Sequence, residues 1–155
     1  MRRGARLDVT RGARVWSPPL AELTAWTCAA LGRHAHGAEL GLRVVGTAES
    51  RRLNAQFRGR DAPTNVLSFP APHLPASRAR RSRPLGDLVI CARLLRAEAR
   101  AQGKTLRAHW AHLVVHGALH LIGYDHRRAR DARRMERREI AVLRGLGFAN
   151  PYRSA

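Results

Sequence analysis

The segment HGALHLIGYDH, residues 116–126, carries three histidines whose spacing is suited to metal binding. On an α-helix, residues four positions apart lie on the same face, so His116 and His120 can both reach one ion. A third ligand on the same helix would lie too far along its axis. Gly123 predicts that the chain turns back there, because glycine adopts left-handed backbone angles at little cost. His126 follows three residues later, and the segment therefore predicts one zinc ion per chain, bound by three histidines.

The chemistry of such a site depends on the charge and number of its ligands. Three neutral imidazole nitrogens leave the charge of the ion in place and one coordination position open, as in catalytic rather than structural zinc sites. The spacing H-x-x-x-H-x-x-G-x-x-H is similar to that of metzincin peptidases, which carry a glutamate directly after the first histidine as general base. Gly117 stands at that position here. We therefore do not expect peptide cleavage.

Further histidines lie in the same predicted helix and leave one alternative open. His112 and His116 are also four positions apart and could form a pair of their own. A single buried histidine is usually a hydrogen-bonded core residue, and we interpret His109 in this way. The role of His112 stays undecided.

Length and composition are those of one compact domain. A chain of 155 residues can bury a hydrophobic core, and we treat residues 1–155 as a single domain. No apolar run approaches the roughly 20 residues that span a membrane, and no apolar stretch of a secretory signal follows the charged start. Cys28 and Cys91 lack CxxC spacing and are expected to be reduced core residues. These features predict a cytoplasmic protein without membrane contact.

The net charge of +18 is the strongest feature of the composition, and Lys104 is the only lysine that contributes to it. Such a charge attracts polyanions, of which RNA and DNA are the commonest partners. A GC-rich genome would favour arginine over lysine without any functional reason, but it explains the scarcity of acidic residues less well. We therefore expect a nucleic-acid partner.

Short strands and helices follow one another without a regular alternation. Ser17, Thr47 and Thr105 can cap helices, and Gly37 and Gly123 can end them. The irregular order favours an α+β fold, with a small mixed sheet packed against about five helices, over a doubly wound sheet. The predicted strands are 5–10, 39–46, 64–70 and 85–92, and the predicted helices are 17–37, 47–59, 93–103, 105–123 and 129–145.

Several blocks of the sequence are similar to one known family. RVVGTAESRRLN, FRGRDAPTNVLSFP and LGDLVICA precede AHWAHLVVHGALHLIGYDH along the chain. In content and order these blocks resemble the YbeY family, bacterial zinc-dependent endoribonucleases of rRNA maturation. The similarity covers about residues 38–148, and the α+β fold of that family agrees with the predicted elements.

The resemblance implies a function and the residues that perform it. It places the zinc ligands on His116, His120 and His126, and a catalytically important arginine on Arg58. It implies single-strand-specific cleavage of RNA, processing of the 3′ end of the 16S rRNA precursor and ribosome quality control. Ribosomal small-subunit proteins and an assembly GTPase are the implied partners. A guanidinium can pair with two oxygens of one phosphoryl group, which suits Arg58 to stabilise the charge that develops during phosphodiester attack.

Two features depart from the family pattern. Gly46 stands where an acidic residue is expected, and the last helix is basic where relatives can be acidic. Seven arginines lie between residues 127 and 138, against Asp131 and Glu136. We expect most of that helix to be a solvated face.

Other residues are assigned supporting roles. Asp125 precedes His126 in a tight turn, and we expect it to fix the backbone or orient a ligand histidine rather than act as general base. Residues 71–84 are rich in proline and arginine without periodicity, which predicts a mobile basic loop. Its arginines are expected to contact RNA phosphates, with salt-sensitive affinity: Arg78, Arg80, Arg81 and Arg83.

Two alternatives to an endoribonuclease stay open. The first is a zinc-dependent hydrolase of another substrate, for which Gly117 disfavours peptides. The second is a ribosome assembly factor in which the zinc is structural and has four protein ligands. Cys28 and Cys91 lie far from the histidines in the sequence.

Overall fold

A computed structural model describes residues 4–72 and 82–153 of the chain. Four strands form one sheet in the order β1-β2-β4-β3. The first three strands in that order run parallel, and β3 runs antiparallel to β4, so the sheet is mixed as predicted. The strands are β1 (Arg6–Arg11), β2 (Ala38–Val45), β3 (Val66–Pro70) and β4 (Arg83–Cys91).

Five α-helices surround this sheet, which confirms the α+β prediction. A short 3-10 helix, Gly32–Ala35, follows the first of them. The α-helices are α1 (Leu20–Leu31), α2 (Thr47–Arg58), α3 (Ala92–Ala101), α4 (Leu106–Leu121) and α5 (Ala129–Gly145).

The two faces of the sheet are buried by different helices. Successive side chains of a strand point to opposite faces, and Leu42 and Val44 of β2 point into the main core, where they lie with the buried Trp110 of α4. Val45 points the other way into a smaller cluster, against which Leu53 of α2 packs. The alternation of apolar residues along β2 therefore places α4 on one face of the sheet and α2 on the other.

Helix α4 runs through the centre of the protein. Ten of its sixteen residues are buried, so this helix is apolar on most sides and packs between the sheet and other helices. The hydroxyl of Thr105 accepts a hydrogen bond from the amide of Ala108 at 3.1 Å, which confirms the predicted cap. The half-buried His116 and His120 also lie on this helix.

Several predicted helix ends are wrong by a few residues. Helix α1 begins at Leu20 rather than near Ser17, because Ser17 and Pro18 each precede a proline and are therefore disfavoured in helical conformation. It ends before Gly32, whose φ of 53° leaves the helical region, rather than at Gly37. Helix α2 has Gly46 at its cap position, and Thr47 is its first residue.

The predicted basic loop overlaps a strand. Arg83 and Pro84 belong to β4, which begins two residues earlier than expected because Arg83 pairs with Ala38 of β2. Residues 73–81 lie outside the described part of the chain. Cys91 is buried, Cys28 is half-buried and both are free, as predicted. No helix within residues 4–72 and 82–153 is both long and apolar enough to cross a membrane.

Candidate metal centre

Three imidazole rings converge at the end of helix α4. Nε2 of His120 lies 3.2 Å from Nε2 of His116 and 3.0 Å from Nδ1 of His126. One nitrogen from each ring lies within 4.8 Å of the other two. A tetrahedral ion with metal–nitrogen bonds of about 2.1 Å places its ligand atoms about 3.4 Å apart. Two of the three nitrogen–nitrogen distances are close to this value, and the third is within 4.8 Å, so the three rings converge closely enough to hold one cation.

The turn after α4 brings His126 to the other two histidines. The helix ends at Leu121, and Gly123 has a φ of 101°, as its predicted role requires. The amide of Tyr124 then donates to the carbonyl of Leu119 at 3.1 Å, which folds the chain back against the last helical turn. The local sequence is thus sufficient to explain how His126 reaches the other two histidines.

Asp125 stabilises this turn through the backbone. Its Oδ1 accepts hydrogen bonds from the amides of His126 at 2.7 Å and of Arg127 at 3.2 Å. This is an arrangement that acidic residues commonly make in tight turns. Asp125 thus holds the backbone that carries His126, the first of the two supporting roles expected for it.

A buried carboxylate that the sequence did not reveal supports the cluster from α5. Glu139 is 0% exposed, and its Oε1 lies 2.5 Å from Nδ1 of His116. Its Oε2 lies 3.1 Å from Nε2 of His112 and accepts a hydrogen bond from the hydroxyl of Tyr152. A carboxylate at Nδ1 keeps the proton there and leaves Nε2 of His116 free to bind a metal.

The electrostatics of the cluster favour a neutral His120 and a charged Glu139. Burial raises the pKa of Glu139, but hydrogen bonds from His112 and His116 outweigh it and bring the pKa to about 2. Burial, together with His116 and His126, lowers the pKa of His120 to about 4. At neutral pH, His120 therefore keeps a lone pair available to a cation.

The remaining histidines of α4 have structural partners. His109 is 4% exposed and its Nε2 lies 3.0 Å from Oε1 of Glu98, which agrees with the predicted core role. His112, whose role was left open, contacts Glu139 and lies outside the three-histidine group. It therefore supports the carboxylate that holds His116.

Gly117 faces the sheet and has no room for a side chain. A Cβ at this position would lie 2.9 Å from Cδ2 of Leu88 and 3.4 Å from Oγ of Ser68. The hydroxyl of Ser68 also donates to the carbonyl of Gly117 at 3.3 Å. Gly117 carries no carboxylate, so the general base of the peptidase pattern is absent at this position, and an added side chain would point toward Leu88 of the sheet.

Arg58 is connected to the cluster through strand β3. Its Nη2 donates to the carbonyl of Ser68 at 2.9 Å, and its guanidinium lies 5.5 Å from the centre of the Phe69 ring. Ser68 in turn contacts Gly117, the residue after His116. Arg58 is exposed, so a dissolved anion can reach its remaining hydrogen-bond donors.

One of the four arginines that are predicted to contact RNA lies within the described residues. Nη2 of Arg83 donates to the carbonyl of His34 at 2.7 Å, and its RNA contact stays a prediction. The other three lie outside the described residues, and their contacts also stay predictions: Arg78, Arg80 and Arg81.

Glu139 and Tyr152 are the supporting residues that the sequence analysis missed. Glu139 falls within a stripe of buried residues on α5 that repeats every three to four positions with Met135, Val142 and Leu143. An acidic residue within an apolar helical stripe signals a buried charge with a partner. Tyr152 lies in an irregular segment, and the sequence contains no comparable signal for it.

The fold and the histidine cluster define a small α+β protein with a candidate three-histidine metal centre. Residues 20–147 match the family model described as Endoribonuclease YbeY. The endoribonuclease YbeY of Alkalilimnicola ehrlichii is 54% identical over 142 residues, which cover 90% of this chain and 85% of that protein. The endoribonuclease YbeY of Halorhodospira halophila is 48% identical over 136 residues, which cover 88% of each. The chain belongs to the YbeY endoribonuclease family, which supports a nuclease role.

A solved structure has the same fold. The solution structure of TM1509 from Thermotoga maritima aligns with a TM-score of 0.58 and covers 96% of this chain and 99% of that one. The two sequences are 23% identical, so this likeness concerns the fold alone.

Proposed function

We propose that this protein is a zinc-dependent endoribonuclease that cleaves single-stranded RNA in the maturation of the 3′ end of 16S rRNA. A role in ribosome quality control and a cytoplasmic location are part of the proposal. The observation that carries it is the convergence of three histidine nitrogens beside a buried carboxylate. Membership of the YbeY endoribonuclease family supports RNA as the substrate.

The proposed ligands of one zinc ion per chain are His116, His120 and His126. When bound, zinc supplies a Lewis acid for phosphoryl oxygens and lowers the pKa of water toward neutrality. Glu139 orients the ring of His116 through Nδ1, and the backbone contacts of Asp125 hold His126 in place.

Arg58 is the proposed catalytic arginine. Phosphodiester attack builds negative charge on the oxygens of phosphorus, and a guanidinium can donate to two of them at once. The contact with the carbonyl of Ser68 engages Nη2, while the exposed side chain leaves other N–H groups for the substrate. Its cation–π contact with Phe69 limits the directions in which the guanidinium can point.

The implied partners follow from the proposed reaction. The substrate is the precursor of 16S rRNA, and small-subunit ribosomal proteins and an assembly GTPase would meet the enzyme on it. The net charge of +18 supports a polyanionic substrate.

Neither alternative function is favoured by the geometry. A structural zinc site needs four protein ligands, and the group found among residues 4–72 and 82–153 contains three. A peptidase of the metzincin pattern needs a general base directly after the first histidine, and Gly117 has no side chain that could serve as one. An open fourth position is what a hydrolytic centre requires.

The proposal is tested by measuring metal content and RNA cleavage on the same purified preparations. We expect His120→Ala to lose both zinc and cleavage. Arg58→Ala should keep zinc and lose about 100-fold in cleavage rate, as when one stabilising donor is removed from a reacting oxyanion. Arg52→Ala, an exposed arginine earlier on the same helix, serves as the matched control and should keep full activity.

The contrary outcomes are distinct. Full cleavage by Arg58→Ala would refute its catalytic role, and equal cleavage by wild type and His120→Ala would attribute the activity to a contaminating nuclease. Cleavage of a peptide library by wild type but not by His120→Ala would show that the protein is a peptidase rather than a ribonuclease.

A further inference from the structure

The exposed face of helix α5 forms a basic groove. Arg130, Arg134 and Arg137 lie three or four positions apart and therefore on one face of the helix. Together with Arg128 and Asp131 they line a groove of about 510 Å³, which we call the α5 groove. Four arginines against one aspartate leave the groove strongly positive.

The α5 groove lies beside the metal centre. The guanidinium of Arg134 lies 5.2 Å from the centre of the Tyr124 ring. Tyr124 belongs to the turn between His120 and His126, so the groove borders the turn that carries the third ligand. Glu139, on the buried side of the same helix, holds His116. One helix thus supports the candidate metal centre and presents arginines at its edge.

The arginines of this groove are available to an outside anion. Arg130, Arg134 and Arg137 are exposed, and no ion pair within the described part of the chain involves any of them. Seven residues of helix rise by about 10 Å, which is long enough to meet more than one phosphate of a nucleic-acid strand. An isolated phosphate would use only part of such a row.

We propose that the α5 groove binds the phosphodiester backbone of single-stranded RNA on its way to the metal centre. The inference rests on the proposed function and adds the surface along which the substrate lies. It also replaces the expectation that most of this helix is merely a solvated face. Phosphate groups, rather than base identity, are what a row of guanidinium groups recognises, because each guanidinium can donate to two phosphate oxygens at once.

Helix α3 offers a matched comparison. Arg93, Arg96 and Arg100 are also exposed, lie at the same three- and four-residue spacing and line a groove with Val15. No contact described for these arginines involves the turn from residue 122 to 126. Removal of either set of three arginines lowers the net charge by the same amount. A difference in RNA affinity between the two variants therefore reports the position of the arginines rather than the total charge.

The test compares the triple variants R130Q/R134Q/R137Q and R93Q/R96Q/R100Q, both in a His120→Ala background that prevents cleavage. Binding of a fluorescently labelled single-stranded RNA is followed by anisotropy between 50 and 300 mM salt, a range of the order in which phosphate contacts weaken. Each lost contact reduces the slope of log affinity against log salt by about 0.7. We expect the α5 variant to bind at least about 10-fold more weakly at low salt, with a slope smaller by about 2.

The outcomes separate this inference from the proposed function. Equal RNA affinities and equal salt slopes for the two triple variants would overturn the proposed RNA-binding role of the α5 groove, even if the wild type cleaves RNA. Selective weakening in the α5 variant supports the groove, even if no condition yields cleavage. Polyglutamate that competes as well as RNA of equal charge would also overturn it, because the groove would then bind acidic chains in general. The single variant Arg137→Glu repeats the test if the triple variant fails to fold.

Discussion

The carboxylate of Glu139 on α5 and the imidazole of His116 on α4 lie 2.5 Å apart, although 23 positions separate them in the sequence. Glu139 is fully buried, so the charge is tolerated only because His112, His116 and Tyr152 surround it with donors. The relationship joins the stability of the fold to the orientation of a proposed metal ligand.

Replacement of Glu139 by glutamine should weaken zinc binding. The neutral amide keeps the size of the side chain but accepts a weaker hydrogen bond from Nδ1 of His116. Residues that orient a ligand in this way typically contribute about 10- to 100-fold to metal affinity. Zinc competition with a chromogenic chelator measures the change. Glu136→Gln, on the exposed side of the same helix, is the control and should bind zinc as wild type does. Wild-type affinity in a folded Glu139→Gln protein contradicts the assigned role.

Tyr152→Phe should distinguish the contribution of the Tyr152 hydroxyl from that of its ring. The ring keeps its edge contact with His112 at 5.3 Å between centroids, while Glu139 loses one of its donors. We expect a loss of about 1 kcal/mol in the free energy of unfolding, measured in urea, and a smaller loss of zinc affinity than in Glu139→Gln. Tyr124→Phe, whose hydroxyl makes no hydrogen bond among the described residues, should leave both quantities unchanged. A stability equal to wild type would show that water replaces the lost donor.

Side chains introduced at Gly117 should destabilise the protein, and a large charged side chain should do so more than a methyl group. Gly117→Glu would place an unpaired carboxylate against Leu88, and we expect it to lose at least about 3 kcal/mol or to fail to fold. In Gly117→Ala, overpacking of about 1–3 kcal/mol is partly offset by a gain of about 1 kcal/mol in helix propensity. Gly145→Ala, with nothing within 4 Å of the added Cβ, is the control and should be neutral or stabilising. Thermal unfolding measures the effect. A higher midpoint temperature for Gly117→Ala than for Gly145→Ala would disprove the close packing at Gly117.

The pair of Glu98 and His109 should make part of the stability dependent on pH. The hydrogen bond from His109 lowers the pKa of Glu98, and burial opposes this effect without cancelling it. A lowered folded-state pKa contributes stability that is present above the usual carboxyl pKa of 4.5 and is lost as the pH falls below it. The gap in unfolding free energy between wild type and Glu98→Gln should therefore narrow below pH 4.5. A gap that stays constant from neutral pH to the acid range would contradict the shift. The measurement is made with chelator present, so that metal binding does not contribute.

Features that depend on neighbours in the sequence were predicted well. His116 and His120 share a face because they are four positions apart, and Gly123 allows the turn that returns His126. The Thr105 cap and the α+β class followed from equally local patterns. The wrong helix end near Ser17 arose because two following prolines override a good capping residue.

The sequence by itself determined which residues could bind a metal, because the ligand spacing and the turn between the ligands act over about ten residues. Only the tertiary structure decided what supports and confines those ligands. Glu139 reaches His116 across 23 positions, and Ser68 reaches Gly117 across 49. Such contacts depend on how α5 and β3 pack against α4. This packing is a collective result of burying the apolar faces of many elements, which no short pattern specifies.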